Sequence, residues 1–368
     1  MNAMMIFLLL IILVPVFISL MFIPYWTRKT ESFGVSIPED VYNSTGLKKM
    51  RKQYAFLTGI LSAVVAIIFL VLGSSIENEE TMSILFSLVI AVFIVASFLI
   101  YLKFHREMKV LKKSQNWSEK KSQRLVVNTQ FRDQKLTYSN FWFVLSFIIA
   151  FASIFITFRF YERIPEKIPM QYNFSGDVTN YSTKSYRTLL VMPIMQIYLT
   201  LLFIFLNTMI SKAKQQVNAE QPEESMRKNV IFRRRWSAYI ISTGIATTIL
   251  FTIIQFSFIF TINQQVLVIA PLVLTIGLTV WAIVLSITTG QGGSRLKTST
   301  GQNGKVIDRD DDQYWKLGVF YYNRNDPSIF LEKRFGVGWT NNWAHPLSWI
   351  IILIIIAGAI GIPLLLGA

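Results

Sequence analysis

Long apolar runs alternate with polar connectors along the whole chain. The runs are about 20 residues each, and a helix of roughly that length crosses the ~30 Å hydrocarbon core of a bilayer. Almost no charged residue interrupts them. The pattern predicts eight transmembrane helices, at Met4 to Ile23, Tyr54 to Gly73, Met82 to Leu102, Tyr138 to Thr157, Leu189 to Ile210, Trp236 to Ile262, Val266 to Thr288 and Leu347 to Leu366.

The composition agrees with this pattern. The 368 residues are 52% hydrophobic and 14% aromatic, which is too apolar for a soluble chain of this length. The first span lacks a basic start and a small-residue cleavage site, and Arg28 and Lys29 follow its apolar run. We therefore interpret it as a retained anchor and predict an all-α integral membrane protein.

Lysine and arginine are distributed very unevenly between the connectors. The connectors after the first, third, fifth and seventh spans hold 31 of the 36 basic residues, and those after the second, fourth and sixth hold three. Because short cytoplasmic loops retain basic residues, this predicts that both termini face outward. The net charge of +15 is mostly explained in this way. Nucleic-acid binding is not predicted, because the basic residues are spread over four loops.

The spans and connectors predict five segments. They are three N-terminal helices with basic cytoplasmic loops (1–140), a helix pair with a structured extracellular loop (141–210), a helix pair with a basic cytoplasmic loop (211–288), a cytoplasmic linker with an aromatic hairpin (289–346) and the last helix (347–368).

The span interiors contain no Asp, Glu, Lys, Arg or His. This disfavours ion-coupled transport and proteolysis within the membrane, which need ionisable residues there. The chain has no cysteine and two histidines, so no metal site or cofactor is predicted. The polar residues Gln196, Gln255, Thr247 and Thr248 leave open a facilitator for a neutral or amphipathic solute.

The connector from Phe160 to Tyr186 has an unusually specific sequence. Pro165 and Pro169 favour extended conformations in the residues before them. "NFSGD" then predicts a turn, in which Gly176 supplies the backbone freedom. We expect a small, stiff cap on the outer side of the membrane.

The stretch "IPEKIPMQYNFSGDVTNYSTKS", followed by "LLVMPI", resembles a module of unknown function. This module is shared by the sporulation-delaying-protein immunity family of bacterial membrane proteins, and it covers about residues 141–190. The matching positions are Pro169, Asn173, Gly176, Tyr181 and Lys184. Gln171 stands where His is usual, and Thr179 where Asp is usual, which argues against a metal or proton role. The resemblance implies a multi-pass protein of a bacterial cell membrane.

The connector before the last span predicts a second structured element. Leu317 to Tyr322 and Ser328 to Leu331 are rich in aromatic and β-branched residues and flank the turn signal Asn323 to Pro327. This predicts a small cytoplasmic β-hairpin. The order Asp-Asp, Trp, Tyr-Tyr-Asn, Asp-Pro, Lys-Arg, Gly-x-Gly-Trp-Thr also resembles a second uncharacterised C-terminal module, at about residues 310–345.

The aromatic residues of this connector have two possible uses. Trp315, Tyr321 and Tyr322 can stack on a flat ligand, or they can pack at the membrane interface, which is the commoner use. Trp339 lies where headgroups are expected. Together with Pro165, Pro169, Gln171, Asn173, Gly176 and Lys184, these four residues are the candidate recognition or structural residues.

Three further features of the polar segments invite an interpretation. We expect Asp310, Asp311 and Asp312 to form a solvated turn rather than a cation site, because adjacent acids point in different directions. We expect His105 to be a polar residue at a helix end, facing the basic loop. "FGVSIPED" at Phe33 and "FGVGW" at Phe335 share three residues, so they either form one composite cytoplasmic cap or match by coincidence.

The sequence favours a non-enzymatic membrane protein that acts by recognition. The hypothesis is immunity or resistance to a membrane-active peptide, or envelope-stress signalling, with the lipid bilayer and a peptide toxin or a cytoplasmic regulator as partners. The solute facilitator remains the alternative. An enzyme at the interface would need a loop carboxylate such as Glu162, Glu166 or Asp177. The sequence does not predict an oligomeric state.

Overall fold

A computed structural model describes residues 3–76, 78–117, 135–173, 176–216, 222–296 and 311–366. Within these ranges, eight helices are long and apolar enough to cross a membrane. The predicted number of spans is therefore confirmed. These spans contain nine α-helical segments, because the first span has two. The segments are α1 (Ala3–Phe7), α2 (Val14–Trp26), α3 (Thr45–Gly73), α4 (Glu79–Ser114), α5 (Val144–Arg159), α6 (Tyr186–Lys212), α7 (Pro222–Phe256), α8 (Gln264–Thr289) and α9 (Pro346–Leu366). A π-helical stretch, Leu8–Leu13, joins α1 and α2 into the first span.

Several helices extend well beyond the predicted apolar runs. Helix α4 continues from the predicted end at Leu102 to Ser114, and α3 begins nine residues before Tyr54. The apolar run marks only the part of a helix that fits the bilayer core, whereas Lys, Arg and Glu are good helix formers and continue the helix outside it. The last turn of α4 is basic and its first turn acidic, which suits the helix dipole.

Eight short strands form four separate two-stranded antiparallel sheets in the described residues. The pairs are β1 (Glu31–Ser32) with β2 (Val35–Ser36), β3 (Lys167–Tyr172) with β4 (Val178–Thr183), β5 (Trp315–Lys316) with β6 (Phe320–Tyr321), and β7 (Phe330–Glu332) with β8 (Trp339–Asn341). Hairpins before the last helix are thus confirmed, and β1–β2 was not predicted.

The predicted strand pairing before the last helix is wrong. Leu317 and Gly318 have positive φ angles of 52° and 74°, so the chain reverses inside the first predicted strand. Strand β5 consequently pairs with β6, and β7 pairs with β8. The segment Asn323 to Pro327 is a turn, as predicted, but it joins two hairpins rather than the strands of one.

The chain divides into two compact units. Unit 1 comprises Met1–Lys135, Ala213–Phe232 and Ile283–His345, and unit 2 comprises Leu136–Lys212, Arg233–Ala282 and Pro346–Ala368. In unit 1, helices α2, α3 and α4 pack beside one another. In unit 2, α6 packs against both α5 and α9.

Buried amides and hydroxyls connect the helices of unit 2. Gln196 Nε2 donates to Thr248 O at 2.9 Å and to Thr252 Oγ1 at 2.8 Å. Gln255 Nε2 donates to Thr157 Oγ1 at 3.0 Å. Such bonds between helices are a common means of association in membranes. The donor groups of both amides are thus used for helix packing.

Candidate functional site

An aromatic cluster in unit 1 brings together segments that are far apart in the sequence. The ring centroid of Phe33, in the turn between β1 and β2, lies 5.3 Å from that of Phe104, 5.5 Å from that of Tyr54 and 6.0 Å from that of Phe335. Phe33 is almost completely buried. The two Phe-Gly-Val segments therefore pack together. We call the assembly of residues 27–37, 101–112 and 311–341 the charged cap.

Two glycines allow the turns of the charged cap to touch. Gly34 has a φ of +74°, and a Cβ atom there would overlap the backbone of Gly318 and approach Tyr101 Oη to 2.6 Å. The Tyr101 hydroxyl donates to the carbonyl oxygen of Leu317 at 2.9 Å. The β1–β2 turn thus lies directly on the β5–β6 turn, at a distance that only glycine permits.

Ion pairs surround this aromatic cluster. Arg334, which is 1% exposed, pairs with both Asp311 and Asp312. Lys112 Nζ pairs with Asp312 at 2.6 Å. The expectation of a solvated turn is therefore wrong for Asp311 and Asp312, because two basic residues from other segments hold them; Asp310 lies outside the described residues. Nor does the described part of the chain contain a group of three His, Cys, Asp or Glu side chains that could hold a metal ion.

A buried ion pair of the charged cap is joined to α7 by a hydrogen bond. Arg28 pairs with Glu332, which is fully buried. Asn229 Nδ2 donates to Glu332 Oε1 at 2.7 Å. Arg28 also donates a hydrogen bond to the side-chain oxygen of Gln216 at 2.5 Å. Glu332 is thus a buried carboxylate whose charge is compensated within unit 1.

His105 lies inside the charged cap rather than facing a basic loop. Its side chain is 3% exposed, and Nδ1 donates to the carbonyl oxygen of Phe33 at 2.7 Å. The ring stacks on Tyr101, with 5.8 Å between centroids. The prediction for this residue is wrong because α4 extends beyond the apolar run, and the extension is covered by the β1–β2 turn.

The four aromatic candidates differ in their exposure. Trp315 and Tyr321 are buried together with Leu331, and their ring centroids lie 5.2 Å apart. These two rings pack inside the hairpins and do not present a face to a flat ligand. Tyr322 is exposed, and Trp339 is half-buried against Phe232, at 5.1 Å between centroids. Tyr321 ends β6 and points into the hairpins, whereas Tyr322 follows the strand and is exposed.

Asp326 is a buried carboxylate of the C-terminal hairpins. Burial alone would raise its pKa, but hydrogen bonds from Lys214 Nζ, the Ser328 N–H and the Tyr321 hydroxyl lower the pKa to about 2. A carboxyl group whose pKa is lower in the folded state stabilises the fold when ionised. This stabilisation is complete above the unfolded pKa near 4 and is lost as the pH falls towards 2.

We expect Asp326→Asn to lower the thermal unfolding temperature at neutral pH. The difference from wild type should shrink as the pH falls from about 4 to 2, because wild-type Asp326 then becomes protonated. Asp40→Asn, at an exposed position, is the matched control and should behave like the wild type. A difference that stays constant over this pH range would contradict the assignment.

In unit 2, the hairpin β3–β4 is anchored by buried isoleucines. Ile164 and Ile168, each preceding a proline, are almost completely buried and pack with Leu189 and Phe258. Pro165 is exposed, and Pro169 lies within β3, opposite Tyr181. The segment that contains the two prolines is thus held in place by its two apolar side chains. Its position on the outer side of the membrane stays a prediction.

The turn of this hairpin is held by Asn173. Its Oδ1 accepts from the N–H of Asp177 at 2.7 Å, and its Nδ2 donates to Asp177 Oδ2 at 3.2 Å. Gly176 has a φ of +94°, a conformation that side chains disfavour. Asn173 and Gly176 therefore serve the structure of the turn. Gln171 is exposed.

Lys184 closes the base of the hairpin. Its backbone N–H donates to the carbonyl oxygen of Glu166 at 2.9 Å, and its Nζ lies 3.7 Å from Glu166 Oε1. The ammonium group also lies 4.5 Å from the centroid of the Tyr161 ring. Lys184 thus joins the two ends of the hairpin through Glu166, and its side chain is largely buried.

The outer edge of β4 has no strand beside it in the described residues. The bond from Lys184 to Glu166 sets the hydrogen-bonding alternation, so the N–H and C=O of Tyr181 point away from β3. Proline at position 169, opposite Tyr181, fits this alternation because it has no N–H to donate. Strand β4 therefore has an outer edge that no other described strand covers, next to the exposed side chain of Tyr181.

Comparison with known families locates two shared modules. Residues 148–197 match a domain of unknown function (DUF1648), and residues 324–349 match a family of unknown function (DUF5808). The chain has no significant match among curated proteins or solved structures. It is a multi-pass membrane protein with two uncharacterised modules. The first match covers most of α5, the β3–β4 hairpin and the beginning of α6, and the second covers β7, β8 and the start of α9.

Proposed function

We propose that this protein acts without enzymatic activity, by recognising a membrane-active peptide at the β3–β4 hairpin and conferring immunity or resistance to it. The observation that carries the proposal is the outer edge of β4, which no other described strand covers, on a firmly anchored hairpin. An extended peptide can add to such an edge through backbone hydrogen bonds, while neighbouring side chains supply selectivity. The resemblance of this segment to an immunity family of bacterial cell membranes points in the same direction.

The topology proposed for the chain makes the hairpin accessible to such a peptide. The connector containing it is poor in lysine and arginine, whereas the connectors on either side are rich in both. By the positive-inside rule the hairpin faces outward, and both termini face outward with it. A peptide that attacks the membrane from outside would meet this surface first.

The loop carboxylates favour recognition over catalysis. Glu166 pairs with Lys184, and Asp177 belongs to the hydrogen-bonded turn with Asn173. Glu162 is exposed on the short turn before Ile164. General acid–base chemistry needs a group held against a substrate with its pKa tuned to the task. These three residues instead serve the structure of the hairpin or contact solvent.

A strain lacking the protein should become more sensitive to one or more peptides in a panel of membrane-active peptides. Wild-type protein should restore resistance, and Tyr181→Pro should not, because proline removes the outward N–H of the β4 edge. Thr179→Ala, at an exposed position of the same strand, keeps the backbone donor and is the matched control. Each variant is first checked for wild-type abundance in the membrane fraction.

The outcomes separate the proposed function from its alternatives. Full resistance with Tyr181→Pro would contradict recognition at the β4 edge. Unchanged sensitivity of the deletion strain, accompanied by a change in its envelope-stress transcripts, would favour signalling. No change in either would contradict both. Substrate-dependent flux in proteoliposomes would favour the solute facilitator instead.

A further inference from the structure

The strongest remaining feature is a buried arginine without an acidic partner. Arg51 lies in the second turn of α3 and is 3% exposed. Its Nη2 donates to the carbonyl oxygen of Tyr42 at 2.9 Å, and the guanidinium carbon lies 4.0 Å from the centroid of the Tyr42 ring. Its Nη1, although buried, has no hydrogen-bond partner. One of the two terminal nitrogens is therefore unused.

The other buried cations of unit 1 are paired with acids. Arg334 pairs with Asp311, and Lys112 pairs with Asp312. Within the described ranges, no carboxylate pairs with Arg51, and the groups that act on it electrostatically are the phenols of Tyr42 and Tyr25 and the cation of Arg295. A buried charge without a counter-charge is costly. Arg51 is thus a buried cation whose charge no described carboxylate compensates.

Arg295 adds a second positive charge next to Arg51. It is exposed, and its guanidinium donates to the carbonyl oxygen of Tyr25 at the end of α2. Gly290, with a φ of +63°, lets the stem of Arg295 lie against the turn, since a Cβ there would come within 2.7 Å of Arg295 Cγ. Arg295 is therefore the exposed cation, and Arg51 the buried one, of two guanidinium groups that interact electrostatically.

We propose that Arg51 and Arg295 form a binding site for a phosphate group. Planar guanidinium groups donate paired hydrogen bonds to phosphate oxygens, and these are stronger than a bond to a neutral carbonyl, which is what Arg295 now makes. Tyr25 and Arg295 lie where apolar helices end, at the level expected for lipid headgroups. The phosphate comes either from an anionic phospholipid or from free phosphate. This inference does not depend on peptide recognition by the hairpin.

The purified full-length protein in mild detergent allows both sources to be tested. Thermal unfolding is followed by tryptophan fluorescence during titration with phosphatidylglycerol or with phosphatidylcholine. A separate titration compares sodium phosphate with sodium chloride at equal ionic strength. We expect phosphatidylglycerol to raise the unfolding temperature and phosphatidylcholine not to. Stabilisation by sodium phosphate alone would identify free phosphate as a sufficient ligand.

The variants assign the effect to the two arginines. Loss of a charged hydrogen bond should weaken the apparent Kd of the stabilising ligand by about tenfold or more in Arg51→Gln and in Arg295→Gln. Lys52→Gln removes the same charge from an exposed neighbouring position and should retain wild-type affinity. If Arg51→Gln does not fold, exposed Arg295 still provides the test.

Two results would overturn the proposal. One is a wild-type protein that neither phosphatidylglycerol nor phosphate stabilises above its matched control. The other is an equal loss of affinity in Lys52→Gln and the two arginine variants, which would indicate diffuse attraction to a basic surface. Failure of either kind leaves the peptide-challenge experiment unaffected, because that experiment concerns the β3–β4 hairpin.

Discussion

Arg334→Ala should open the charged cap, at a cost of about 3 kcal/mol in local stability. Arg334 is buried and pairs with Asp311, Asp312 and the buried Glu31. The alanine variant leaves these carboxylates with Lys112, which pairs with Asp312. Removing one partner of a buried pair costs about 3–5 kcal/mol, and Asp311 and Asp312 retain some solvent contact, which favours the lower end. The loss should be local to unit 1.

Amide hydrogen exchange measures this effect best, because a membrane protein with two compact units need not unfold in one step. We expect faster exchange in β1, β2 and the C-terminal hairpins of Arg334→Ala. The matched control is Arg324→Ala, the same change at an exposed position of the same connector, which should cost less than about 0.5 kcal/mol. Equal exchange rates in the two variants would show that the ion pairs do not hold the charged cap closed.

Gly34→Ala should disrupt the contact between the β1–β2 and β5–β6 turns. The methyl group would overlap the backbone of Gly318, and alanine disfavours a φ of +74°. The conformational cost is about 1–2 kcal/mol, and steric displacement adds roughly 1–3 kcal/mol. The backbone of the neighbouring turn cannot rotate away as a flexible side chain would. The combined loss should lower the thermal unfolding temperature of unit 1 and speed exchange in both turns.

Gly46→Ala is the control for this substitution. Gly46 lies in the first turn of α3, and a Cβ there meets no atom within 4 Å. Alanine in a helix is favoured over glycine by about 0.5–1 kcal/mol, so this variant should be as stable as wild type or slightly more stable. If Gly34→Ala were equally stable, the close approach of the two turns would be refuted.

The sequence predicts the features that depend on local patterns. Apolar runs identify the eight helices, because the thickness of the bilayer sets their length. Pro165, Pro169 and Gly176 predict a structured connector with a turn, because they restrict or free the backbone where they stand, and the β3–β4 hairpin lies there. In each case the information lies within about 20 consecutive residues.

The sequence does not predict the features that depend on distant partners. Asp311 and Asp312 look like a solvated turn until Arg334 and Lys112 are brought beside them, and Lys112 is 200 residues from Asp312. His105 looks like an exposed residue for the same reason. The three-residue match between the segments at Phe33 and Phe335 was the one signal of this assembly, and it was too short to distinguish contact from coincidence.

The same separation constrains how the protein is made. Arg334 donates to the carbonyl oxygen of Gly34, 300 residues earlier in the chain. At a synthesis rate of about 5–20 residues per second, roughly 15–60 s pass between the appearance of these two partners. Glu31 pairs with Arg334 and Lys112 pairs with Asp312, and seven of the eight described spans are synthesised before these C-terminal partners. A protein truncated before Asp311 would leave this surface uncovered, and we expect cellular quality control to recognise it as incomplete.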